Sequence, residues 1–170
     1  MPLQASNAAL AVLAVGLITA TVIDLRTRRI PNELTAGMAA LGIALAVSGT
    51  SGVSTGESIA GMFIGLLLMM PGHALGATGA GDVKLMAAVG ASVGPAVVMS
   101  AFVFTAIAGG VLALIVAVQR QRLAATIAGT GRLMAAPGSA SQEIKAAPTA
   151  SRFAYGPAIA IGSVLAVLTW

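Results

Sequence analysis

The chain contains no cysteine. That excludes disulfides, a thiol nucleophile and any cysteine-based zinc site. A single histidine, His73, leaves too few ligands for a histidine-rich metal centre. Charge is scarce too: Asp, Glu, Lys and Arg make up 8% of the residues, against roughly a quarter in soluble domains. A chain so poor in charge cannot cover a water-facing surface. What fills the space is apolar, at 58% of all residues, and a lipid-facing exterior is expected. The length suits one domain, an integral-membrane unit over residues 1–170.

Charges punctuate the apolar runs. No charged side chain occurs from Met1 to Ile23, and further apolar runs cover Leu34–Thr55, Ser58–Gly81, Leu85–Gln119 and Phe153–Trp170. A spanning helix needs about 20 apolar residues. Four of these runs fit one span each. Leu85–Gln119 is too long for one, and Gly94-Pro95 breaks it, so two spans are expected there, a short one from near Asp82 and a longer one near Ala96–Val118. The predicted fold is all-α: a polytopic bundle of six transmembrane helices. Ala39, Ala40 and Gly42, Gly61 with Gly65, and Gly109-Gly110 are small enough to let such helices pack closely.

The nine basic residues set the orientation. Arg26, Arg28 and Arg29 follow span one, Lys84 lies between spans three and four, and the rest lie in the loop 120–152. With six spans all nine share one side, the cytoplasmic side by the positive-inside rule. Both termini, the Gly49–Glu57 loop and the Gly94 turn then fall on the opposite, non-cytoplasmic side. The charge after span one is the reverse of a cleaved signal peptide, so that helix is expected to stay. In the basic loop, Leu123–Ala135 reads as a weakly amphipathic surface helix and Ala136–Ser151 as a linker. The formal charge of +4 does not indicate a nucleic-acid partner, because the basic residues form no patch interleaved with aromatics. The lipid bilayer is the partner they point to.

Only five acidic residues are present: Asp24, Glu33, Glu57, Asp82 and Glu143. Glu57 falls on the outer side and Glu143 in the linker, and both read as solvated loop charges. Glu33 reads the same way, although it lies near Asp24. Asp24 ends span one and Asp82 opens span four. Either alone would be read as a helix-end cap at the membrane border. Two aspartates on one side of the bilayer have a further use. Peptide hydrolysis needs an activated water and a proton donor for the leaving amine, and two carboxylates sharing one proton supply both. No metal and no cofactor is required. His73 reads as a loop residue rather than a base, and no G-x-S-x-G elbow is present. By helix dipole alone, Asp82 at a helix start favours its charged form and Asp24 at a helix end does not. Asp82 is therefore expected to act as base and Asp24 to carry the proton, with Arg26, Arg28, Arg29 and Lys84 able to reverse the order.

The residues around these acids resemble a known family. Gly79-Ala80-Gly81-Asp82-Val83-Lys84-Leu85 is similar to the G-x-G-D-x-K-L motif of type IV prepilin peptidases, the GxGD aspartyl proteases. Asp24-Leu25-Arg26-Thr27-Arg28-Arg29-Ile30-Pro31-Asn32 resembles their other block, an aspartate followed by basic residues and I-P-N. Tyr155-Gly156-Pro157 and the residues after it match the last-span segment more weakly. The resemblance implies removal of the short, basic leader from prepilins or pseudopilins at the cytoplasmic face of the inner membrane. It assigns catalysis to Asp24 and Asp82 and supporting roles to Gly79, Gly81, Lys84, Pro31 and Asn32. Pilus assembly proteins are the further partners it brings into view.

Larger members of that family carry a cytoplasmic segment with cysteine pairs and methylate the new N-terminus. This chain has neither, and it resembles the short, peptidase-only branch of tight-adherence (Flp-type) pili. Methyltransferase activity is not expected. Composition alone also fits a small ion-coupled transporter or channel with Asp24, Asp82 and Lys84 along an ion path. The order of the two motif blocks favours the peptidase.

Overall fold

The computed structural model describes residues 6–119 and 154–170, and every regular element among them is an α-helix. These are α1 (Asn7–Thr27), α2 (Asn32–Val47), α3 (Thr55–Ala74), α4 (Ala80–Gln119) and α5 (Gly156–Thr169). The surface helix and linker expected over 123–151 lie outside the described residues.

Local chemistry sets each boundary that matters for the site. The Ser6 hydroxyl caps α1 by accepting from the Ala9 N–H, and Arg28 ends it in the left-handed conformation, φ 54°, with its N–H bonded to the Asp24 carbonyl. Pro31 cannot donate to a continuing helix and stands at the N-cap of α2. Ser54 and Glu57 form a reciprocal capping box at the start of α3. Glu57 is thus a helix cap and not the loop charge expected.

α3 also ends earlier than its apolar run, at Ala74. The chain tightens after Pro71: the Gly76 N–H bonds to the His73 carbonyl and the Ala77 N–H to the Gly72 carbonyl. Gly76 takes φ 81° to close this turn. His73 accordingly sits in the last turn of α3 rather than in a loop, where its Nδ1 donates to the Thr78 carbonyl at 3.1 Å.

The expected break in the long run is present. Gly94 interrupts α4 at φ 79°, ψ 179°, a region open essentially to glycine alone, and Pro95 follows it. The described residues therefore form five helices, one of them broken into two arms. By length and composition Asn7–Thr27, Thr55–Ala74 and Ala80–Val116 can cross a membrane, whereas α2 and α5 are apolar but shorter.

The first arm of α4 is the centre of the bundle, with Leu85, Met86, Ala88 and Val89 completely buried. Small residues let its neighbour α3 approach at backbone distance. Gly61 and Gly90 face each other so closely that neither position has room for a Cβ, and Gly65 meets the Met86 carbonyl in the same way. The buried Ser58 hydroxyl adds a 2.6 Å bond to the Ala91 carbonyl. Of the paired glycines Gly109-Gly110, Gly109 lies under Tyr155, but Gly110 has nothing within 4 Å. Large apolar side chains such as Ile18, Phe63, Leu67, Val103 and Ile107 point outward. So many large apolar side chains turned outward suit lipid rather than water.

Two ends of the bundle differ. At one, the Ser6 N–H bonds to the Ser51 carbonyl, and Gly94 lies against Val53 and Glu57. At the other lie the C-terminal turn of α1, with Arg26 and Arg28, and the start of α4, with Lys84.

Candidate active site

Asp24 stands in the last turn of α1 and Asp82 in the first turn of α4. Both are buried, at 5% and 7% exposure. They line one cavity of about 350 Å³, together with Arg28, Arg29, Ile30 and Asn32 and the chain from Gly76 to Gly81. An ionisable carboxylate taken out of water needs partners. Each of these two has one oxygen held by a backbone amide.

Asp82 obtains its amide locally. Its Oδ2 accepts from the Gly79 N–H at 2.8 Å, and its own N–H donates to the Gly79 carbonyl at 3.1 Å. This is half of a capping box, with the carboxylate at the third helical position reaching back to the residue before the helix. A Cβ at Gly79 would stand 3.2 Å from Asp82 Oδ2. Gly81 meets a different neighbour. A Cβ there would lie 3.0 Å from Ile30 Cβ and 3.2 Å from the Ile30 carbonyl oxygen, so the start of α4 rests directly on the chain between α1 and α2.

Asp24 obtains its amide from the far end of the sequence, where the Gly156 N–H donates to Asp24 Oδ2 at 2.8 Å. Gly156 is the first residue of α5. Asp24 therefore lies at the C-terminal end of its own helix and against the N-terminal end of another. The dipole expectation for base and proton carrier counted only the first of these ends. With α5 included, both carboxylates face the positive end of a helix, and dipoles no longer rank them.

The residues expected to support the pair lie at the starts of α2 and α4. Lys84 Nζ donates to Asn32 Oδ1 at 2.8 Å and joins the two motif blocks. Pro31 turns the chain into α2. Arg28 lines the cavity from its left-handed position at the end of α1. Glu33, in the first turn of α2, is exposed and lines a different cavity. No group of three or more His, Cys, Asp or Glu gathers among the described residues.

A second, apolar cavity of about 700 Å³ adjoins the first. Leu67, Leu68, Met69, Phe102 and Tyr155 line it, and it shares Ala77 and Thr78 with the carboxylate cavity. Tyr155 and Gly156 were given no role in the sequence reading. Their one signal there was the aromatic-Gly-Pro triplet opening the last apolar run.

Two buried carboxylates thus line one small cavity, each fixed through one oxygen. The family model described as the type IV leader peptidase family matches residues 11–114 of the chain. Neither a curated protein nor a solved structure matches it.

Proposed function

The chain belongs to the type IV leader peptidase family and is a peptidase; from that membership we propose that it is an intramembrane aspartyl endopeptidase with Asp24 and Asp82 as its catalytic pair. One ionised carboxylate takes a proton from water. The protonated partner polarises the scissile carbonyl and then supplies the proton that the leaving amine needs. The pair titrates as one unit. The observation that carries this reading is the placement of both buried carboxylates on a single cavity.

The substrate is the precursor of a type IV pilin or pseudopilin, cut behind its short basic leader. The tight-adherence type fits a sequence with no cysteine among its 170 residues. The bundle crosses the inner membrane six times, the two arms of α4 counting separately. The end with Arg26, Arg28, Arg29 and Lys84 faces the cytoplasm, and both termini face away from it. The cavity then opens where a cytoplasmic leader arrives. The adjoining apolar cavity accepts uncharged residues on the other side of the scissile bond. The enzyme cuts without methylating the new N-terminus.

The test is co-expression with an Flp-type prepilin, followed by mass spectrometry of the pilin. A loss equal to the leader mass is expected. The loss disappears in Asp24→Asn and in Asp82→Asn proteins that insert normally. Leader removal that persists in either variant refutes the pair.

A further inference from the structure

The residue that holds Asp24 lies outside the stretch matched by the family, and nothing in that match assigns it a role. We propose that Gly156 is a positioning residue for Asp24: its backbone N–H fixes one carboxylate oxygen, and its missing side chain is the space that carboxylate occupies. This rests on Asp24 being half of the catalytic pair.

The bond is buried, 2.8 Å long, and joins residues 132 positions apart. The first N–H groups of any helix lack intrahelical acceptors and take a side chain or water instead. Tyr155, at the N-cap of α5, offers no side-chain cap, and Pro157 has no N–H to donate. The Gly156 amide is thus a donor without a local partner at this end of α5, and an acidic side chain from α1 accepts from it.

Space makes the glycine specific. A Cβ on Gly156 would stand 2.9 Å from Asp24 Oδ2, 3.1 Å from Asp24 Cβ and 3.3 Å from Asp24 Cγ. The oxygen can swing away by rotation, but Asp24 Cβ is fixed to the backbone of α1. An alanine must therefore turn the carboxylate or push α5 off α1. The second route is hindered, because Tyr155 packs against Gly109 of α4 and pins the start of α5. Turning the carboxylate breaks the amide bond and aims the acid elsewhere in the cavity.

The experiment compares Gly156→Ala with Gly162→Ala in detergent-purified protein, using an epitope-tagged Flp-type prepilin. Gly162 also packs too closely for a Cβ, but against Thr105, away from the carboxylates. Gly156→Ala should lower kcat by about 10- to 100-fold, the worth of one bond to a charged group, with KM within about twofold. Gly162→Ala should lower the melting temperature yet keep kcat within about threefold. A melting cycle reports without activity: the cost of Gly156→Ala should fall by more than half in an Asp24→Ala background. Should Gly156→Ala alone fail to fold, folding of the Asp24→Ala/Gly156→Ala double variant supports the contact, and its failure overturns it. Unchanged kcat in Gly156→Ala, an equal kcat loss in Gly162→Ala, or equal melting cost in both backgrounds also overturns the proposal. If the parent protein cuts no prepilin, the peptidase reading of this cavity fails instead, and the melting cycle alone decides the role of Gly156.

Discussion

The ammonium of Lys84 donates to the side-chain oxygen of Asn32 across 2.8 Å, and so ties the start of α4 to the first turn of α2, 52 positions apart in the chain. Both side chains are exposed, so solvent screens the bond and its net worth is small. Lys84→Met and Asn32→Leu should each cost less than about 1 kcal/mol, and the double variant little more than either. Melting in detergent checks this. Because Gly81 rests on Ile30 beside this bond, cleavage should fall more than stability does.

Asp24→Asn and Asp82→Asn should each lower the cleavage rate by about 10²- to 10⁴-fold, the span attributed to positioned acid–base groups. On the proposed mechanism the two act as a unit, so the double variant should be no slower than the worse single one. Initial rates on purified prepilin measure both.

Arg28 holds φ 54°, a left-handed conformation that costs a residue with a Cβ roughly 1–2 kcal/mol. Gly avoids that cost and Ala does not. Arg28→Gly should therefore be more stable than Arg28→Ala by about 1 kcal/mol, although both lose the guanidinium. Comparing their melting temperatures isolates the backbone contribution.

Two glycine substitutions should have opposite signs. Gly90→Val drives a side chain into the backbone at Gly61 and should cost about 3 kcal/mol or more, with loss of the α3–α4 contact. Gly37→Ala meets nothing within 4 Å inside α2 and should gain about 0.5–1 kcal/mol from helix propensity. Thermal denaturation of the two variants beside the parent tests both.

Features that depend on local chemistry were legible in the sequence. Gly94-Pro95 announced the break in α4 because that backbone conformation needs glycine and proline cannot continue a ladder. Asp24 and Asp82 announced themselves because charge is rare beside apolar runs. The end of α3 was hidden, since hydropathy runs on past Ala74 and only the turn closed at Gly76 stops the helix. Ser54 and Glu57 did spell a capping box, three residues apart, but Glu57 was read by its charge rather than by that spacing. Gly109 and Gly110 looked alike in sequence. Neighbours on a helix face different directions, and only tertiary packing shows that Tyr155 covers the first and not the second. Gly156 was the least legible, because its meaning lies in a partner on the first helix.

Proteins are made from the N-terminus onward. α1 leaves the ribosome first and α5 last, so a nascent chain halted after α4 already carries both acids but lacks the amide that aims one of them. On the proposed role of Gly156, the site reaches its working geometry only after α5 has been made and has docked on α1.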